Sequence, residues 1–264
     1  MRHKRITGWI LLVCMGALLC ALLFGEQLEK AYREIAYYLG ERTVTEMRVQ
    51  EYAQAHGVSI GDYPRSLVEL LERNPETEDF VLNYPFRTEQ EMDWSQYENQ
   101  TSVPLFLQWD SQWGYEKYGS DMIAITGCGP TCVAMAGYWL TGSEDFTPNV
   151  VAEFSQRNGY YSPGSGSSWT LVSEGAVKLG LDVTEIPLVK KRIMDNLEVG
   201  NLIICAMGPG DFTTSGHYIL MVGTENGQIR INDPNSRIRS AQLWSYEQIE
   251  SQIRNLWVIR YFGE

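Results

Sequence analysis

A chain of 264 residues with 44% hydrophobic and 12% aromatic side chains is long enough for one sizeable domain with extensions, or for two small ones, and is too apolar to be disordered. Its formal net charge is −12; three of the cations (Arg2, Lys4, Arg5) sit at the extreme N-terminus and no acid precedes Glu26, so the remainder carries −15. Such a surface repels nucleic acid and no basic stripe offsets it, which excludes nucleic acid as a partner.

The basic MRHKR is followed by ITGWILLVCMGALLCALLFG, 20 residues without a charge. That length spans a bilayer as a helix. Cations before it and acids after it orient the N-terminus inside and the bulk outside. Residues 1–25 therefore read as a single-pass membrane anchor, with a cleaved signal peptide and a secreted product as the alternative. From Glu26 the pattern is helical: Leu28, Ala31, Ile35 and Tyr38 recur at spacings of three and four, and Met47, Tyr52 and Ala53 continue a second segment. Gly40 and Gly57 read as stops, Pro64 as an opening turn, and Asn74-Pro75 as a break between two further short helices. Residues 26–102 form a helical stalk or cap ending in an acidic, polar linker.

A new domain, 103–264, starts at Val103-Pro104. Helices are predicted from Cys128 to about Leu140, over TPNVVAEFSQRNG with Thr147 as cap and Pro148 in the first turn, over SSWTLVSEGAVKLG, and over VKKRIMDNLEVG. Strands follow at 201–207, 217–224, 228–233 and 255–262, with Asn226-Gly227 as a hairpin turn. Helices first and an antiparallel sheet later give an α+β class.

The chemistry centres on TGCGPTCVAM. Gly127 and Gly129 permit a sharp turn and Pro130 suits the first turn of a helix. Cys128 then stands at a helix N-terminus, where unpaired N–H groups and the dipole favour a thiolate. Cys132 lies one turn further in and reads as a core residue. A thiolate nucleophile needs a proton-transfer partner. His3 lies at the inner end of the apolar run and His56 in the stalk, so His217, at a strand start after Gly216, is the candidate base. A two-residue turn at Asn226-Gly227 brings Asp233 back beside His217 to orient the imidazole, while strand alternation points Asn232 away. Asp233 also suits the start of a turn before Pro234. An oxyanion donor is still needed, and FLQWDSQW offers Gln108 and Gln112 without choosing between them.

VPLFLQWDSQWGYEKYG, TGCGPTCVAMAGYWL, SGHYILMVG and INDP, in that order, resemble the C39-like peptidases, a family of papain-like cysteine peptidases related to the domains that cut double-glycine leader peptides. The resemblance spans Val103 to Tyr261. It implies a papain-like fold, Cys128 as nucleophile, His217 as base, Asp233 as orienting acid and Gln108 as oxyanion donor. It also implies a peptide or protein substrate and no cofactor. Cys132 departs from the pattern, since that position is a small Ser, Thr or Ala in many relatives. Trp169, after the SPGSGSS loop, and Gly216 are candidate substrate-binding positions, with plain packing as the alternative for Trp169.

Competing readings remain at this stage. A papain-like amidase or endopeptidase acting on peptidoglycan stem peptides suits the same external position. A disulfide could join Cys132 to Cys128 or to Cys205, and one that tied up Cys128 would make the protein a non-catalytic extracellular binding module. Cys128, Cys132, Cys205 and His217 supply zinc-ligand types, but no second close pair accompanies the first, and no metal is expected.

Overall fold

The computed structural model describes residues 25–263, apart from 36, 39, 41, 89, 91, 98 and 99. The charge-free run read as a membrane anchor lies, except for Gly25, outside the described residues. Among the described residues no helix is long and apolar enough to cross a membrane. The chain divides into two compact units, residues 1–86 and 87–264.

The first unit is helical. After a helical stretch over 25–35 come α1 (Val44–Ala55), α2 (Arg65–Arg73) and α3 (Glu78–Leu82). A capping box opens α1: the Thr43 hydroxyl accepts from the Glu46 N–H while the Glu46 carboxylate accepts from the Thr43 N–H. Gly57 follows its end at φ +76°, the left-handed geometry expected of a stop. Val49, Ala53, Leu67, Leu71 and Val81 are buried, and the Tyr63 hydroxyl donates to the Leu82 carbonyl. His56 stacks on Tyr52 within this unit.

The second unit is a six-stranded antiparallel sheet between helices. Its helices are α4 (Cys128–Thr141), α5 (Pro148–Arg157) and α6 (Lys190–Glu198). Its strands are β1 (Asp182–Glu185), β2 (Leu202–Met207), β3 (His217–Glu225), β4 (Gln228–Asn232), β5 (Leu243–Trp244) and β6 (Ile253–Arg260), in spatial order β1-β6-β2-β3-β4-β5. β2 is apolar at every position because both its faces are covered. Leu202, Ile204 and Ala206 share one cluster with Cys132, Val133, Met135 and Ala136 of α4; Ile203, Cys205 and Met207 share another with Ile193 and Leu197 of α6. Asn226 (φ 53°) and Gly227 (φ 76°) form the predicted two-residue turn between β3 and β4, closing on the Glu225–Gln228 pair. Thr147 caps α5 through the Val150 N–H, with Pro148 at its first position.

Two elements differ from the sequence pattern. The helix expected over SSWTLVSEGAVKLG is a wide π turn at Leu171–Gly175 continued by one turn of α-helix, Ala176–Lys178. Gly175, at the end of the π turn, is held to a glycine by packing, since a side chain there would press on Tyr160 and Leu171. β1 was hidden in the polar run DVTE: it is an edge strand, and an edge needs no apolar alternation.

Candidate active site

Cys128 is the first residue of α4, with Gly127 in the N-cap position. Neither flanking glycine is there for a left-handed backbone; Gly127 has φ −92°. Both are there for space. A side chain on Gly127 would meet the Ile123 carbonyl at 2.6 Å, and one on Gly129 would meet the Ser167 hydroxyl at 2.7 Å. The loop carrying Ser167 is therefore packed directly on the turn that presents the thiol. It is tied down by the Tyr118 hydroxyl, 2.7 Å from the Ser167 Oγ, and by the Tyr218 hydroxyl, which donates to the Ser167 carbonyl.

The part-exposed Cys128 thiol lies beside the His217 imidazole. Burial pushes this thiol up, but His217, with the Tyr218 and Gly129 N–H groups, holds it below the ordinary thiol value. His217 opens β3 opposite Met207. Its Nε2 lies 2.7 Å from the Asp233 Oδ1, which leaves Nδ1 for the sulfur. Burial works against an imidazolium, yet the Asp233 carboxylate outweighs it and raises the imidazole to about 10. Asp233 is completely buried; burial pushes it up, and His217 and then Arg239 pull it below the usual carboxylate value. All three directions favour the same state, a thiolate beside an imidazolium backed by a carboxylate.

Gln108 is buried against the same turn. Its backbone N–H donates to the Pro234 carbonyl and its Nε2 to the Ala124 carbonyl, each at 2.7 Å, while its Oε1 has no partner. One amide hydrogen thus stays uncommitted, on a side chain anchored to Ala124, four residues before the cysteine. Gln112 is engaged elsewhere: it accepts from the Asp93 N–H and donates to Asp110. Asn232 points away from His217 and donates to the carbonyls of Val103 and Pro104.

Trp169 is half exposed and meets the edge of the Trp257 ring, so its recorded packing is against the sheet. Gly216 is exposed, and a side chain there would enter open space. Cys128, Cys132 and Cys205 are all free. Cys132 and Cys205 lie in separate hydrophobic clusters, and burial raises both thiols well above the ordinary value. Among the described residues no group of three or more His, Cys, Asp or Glu is placed to hold a metal ion.

The model of the peptidase C39-like family matches residues 100–262. The chain belongs to that family. Two solved structures are similar to this C39-like peptidase. The peptidase domain of Streptococcus ComA, described as a bifunctional ABC transporter of a quorum-sensing pathway, has 22% identity over 52% of this chain and 93% of its own, with a TM-score of 0.41. A C39-like peptidase from Bacillus anthracis has 13% identity over 61% of this chain and 96% of its own, with a TM-score of 0.37. Among curated proteins no relative is found. The family assignment rests on the match over 100–262, not on these two likenesses.

Sequence reasoning passed over one group at the site of this C39-like peptidase. Arg239 donates from Nε to the second carboxylate oxygen of Asp233 at 2.5 Å. It sits on a four-residue helix, Arg237–Ser240, too short to leave a periodic pattern. The available signal was local: Ser236, an N-cap type, stands three residues before Arg239 and accepts its backbone N–H.

Proposed function

We propose that this C39-like peptidase is a cysteine peptidase in which Cys128 is the nucleophile, His217 the acid–base group, Asp233 the orienting acid and Gln108 an oxyanion donor. The observation that carries the reading is the hydrogen bond between His217 Nε2 and Asp233 Oδ1, 2.7 Å, on the same buried imidazole that lowers the Cys128 thiol. In the proposed cycle the Cys128 sulfur attacks the carbonyl carbon of a peptide bond and a C–S bond forms. The negative oxygen is taken by the free Gln108 amide hydrogen and the Cys128 N–H. His217 gives its proton to the departing amine nitrogen as the C–N bond breaks. Water, losing a proton to His217, then attacks the thioester; the acid product leaves and the thiolate returns.

We place the catalytic unit outside the cytoplasm, tethered by the charge-free run over 6–25. The cations before that run and the acids after it support this orientation. The test is cleavage of a peptide library by the purified full chain. Cys128→Ala abolishes cleavage and Cys132→Ser leaves most of it. Cleavage that survives Cys128→Ala overturns the mechanism. Release of stem peptides from purified cell wall, with the library untouched, moves the substrate to peptidoglycan.

A further inference from the structure

The Asp233 carboxylate is gripped from two sides. Oδ1 accepts from the His217 Nε2 at 2.7 Å and from the Asn235 N–H at 2.8 Å, and Oδ2 accepts from the Arg239 Nε at 2.5 Å. Orienting an imidazole requires only the first oxygen. The second is met by a guanidinium, a cation that keeps its charge at any pH the protein meets. The local structure is built to deliver it. The Asp233 N–H donates to the Ser240 hydroxyl, that hydroxyl donates to the Ser236 carbonyl, and the Trp244 indole N–H donates to the Arg239 carbonyl. The turn after β4 is thereby folded back so that Arg239 reaches the carboxylate.

We propose that Arg239 is a positioning residue of the site: it anchors the second oxygen of Asp233, and through it the His217 ring, and supplies the cation that leaves the buried charged cluster neutral. This rests on the cysteine-peptidase reading above. The titratable and charged groups facing the carboxylate are Cys132 from α4, His217 from β3 and Arg239, and Cys128 joins the cluster through His217. Cys132 is buried and stays a neutral thiol. Thiolate, imidazolium, carboxylate and guanidinium then cancel. Without the guanidinium one negative charge is left over, and the site holds protons more tightly. The Cys128 thiolate is then protonated at a higher pH, and the His217 imidazolium also survives to a higher pH. A residue that served the fold alone would change how much protein is active and move neither transition.

The experiment follows alkylation of Cys128 by iodoacetamide against pH in the full chain, read by mass spectrometry of the Cys128 peptide, so it needs no substrate. Wild type is compared with Arg239→Gln, Arg239→Lys and His217→Ala. Arg239→Gln is expected to move the rise in reactivity upward by about one pH unit, roughly a tenfold loss of rate on the acid side. Arg239→Lys keeps the charge and is expected to leave the transition where wild type has it, with a lower plateau. An unmoved transition in folded Arg239→Gln overturns the proposal. If that variant does not fold, Arg239→Lys decides, because a displaced transition with the charge retained also overturns it. The underlying Cys–His reading fails in a different way: wild type then shows no enhanced reactivity below pH 7 and His217→Ala changes nothing.

Discussion

Three thiols with the same intrinsic chemistry are driven apart by their surroundings. Cys205 meets burial alone and Cys132 meets burial together with the charges of Cys128 and Asp233, all of which disfavour the anion, while Cys128 meets burial and an imidazole together. A mild alkylating agent at pH 7 is therefore expected to modify Cys128 faster than either of the others by roughly tenfold or more, and His217→Ala is expected to remove most of that difference. Peptide mass spectrometry reads both. The pair also makes a prediction about stability. Unfolded, the cysteine titrates near 9.0 and the histidine near 6.5; folded, the first is lowered and the second raised to about 10. Above pH 6.5, between the lowered folded value of the cysteine and 9, the unfolded pair holds one proton, on sulfur, and the folded pair holds one, on the imidazole. The proton counts match, so this pair contributes no slope of stability with pH there. Above 9 the unfolded pair is bare while the imidazolium persists, so stability falls as pH rises toward 10. Cys128→Ala removes the compensation. Its raised histidine stands alone, and stability is expected to decline from pH 6.5 upward at a slope approaching about 1.4 kcal/mol per pH unit. Urea denaturation of both proteins from pH 6 to 9 checks this. A sloping wild type beside a flat Cys128→Ala would contradict the ion pair.

At the level of elements, the glycines around the site separate into those that packing demands and one that it does not. Gly129→Ala sets a methyl group 2.7 Å from the Ser167 hydroxyl and 2.8 Å from its Cβ, so the first turn of α4 or the 160–168 loop must shift. We expect a loss of about 1–3 kcal/mol, as for other overpacked sites, and slower labelling of Cys128. Gly216→Ala enters open space and is expected to leave thermal unfolding and Cys128 labelling unchanged. Any loss of peptide cleavage in that variant then reports on substrate alone, and full retention removes Gly216 from the substrate site. The same contrast shows what the sequence could and could not disclose. The cap at Thr147, the turn at Asn226-Gly227 and the start of α4 are local devices, written in consecutive residues. The meeting of His217 with Asp233 was legible because a two-residue turn returns β4 along β3 over so short a separation, and the bulge between Met221 and Gly223 shifts the register without undoing it. The packing of Ser167 on Gly129 and the return of Arg239 onto Asp233 join segments through non-repeating loops, where no periodicity records the contact. β1 was silent for a related reason: Asp182 pairs with Arg260 at a sheet edge, so its partner is an ion rather than a core.

Across the second unit, the segment over 92–97 bears on where the catalytic domain begins. By composition it is an acidic, polar stretch, yet three of its residues pack inward. Trp94 stacks on Tyr138 of α4 with ring centroids 4.8 Å apart, Tyr97 meets Phe106 edge-on at 4.8 Å, and Met92 lies against the same core. Tyr97 is 8% exposed. These rings pack on α4, the helix whose first residue is Cys128, and they precede the irregular segment that carries Gln108. A chain beginning at Val103 leaves Phe106 and Tyr138 facing water, whereas one beginning at Arg87 keeps the bracket closed. Removing a buried aromatic side chain costs about 3–5 kcal/mol, so even partial exposure here is expected to lower stability by several kcal/mol. We therefore expect residues 87–264 to unfold cooperatively at a clearly higher urea concentration than residues 103–264, with Trp94→Ala in the longer piece falling between them. Equal midpoints for the two pieces would show that the bracket contributes nothing and that the unit is held by the sheet and α4 alone.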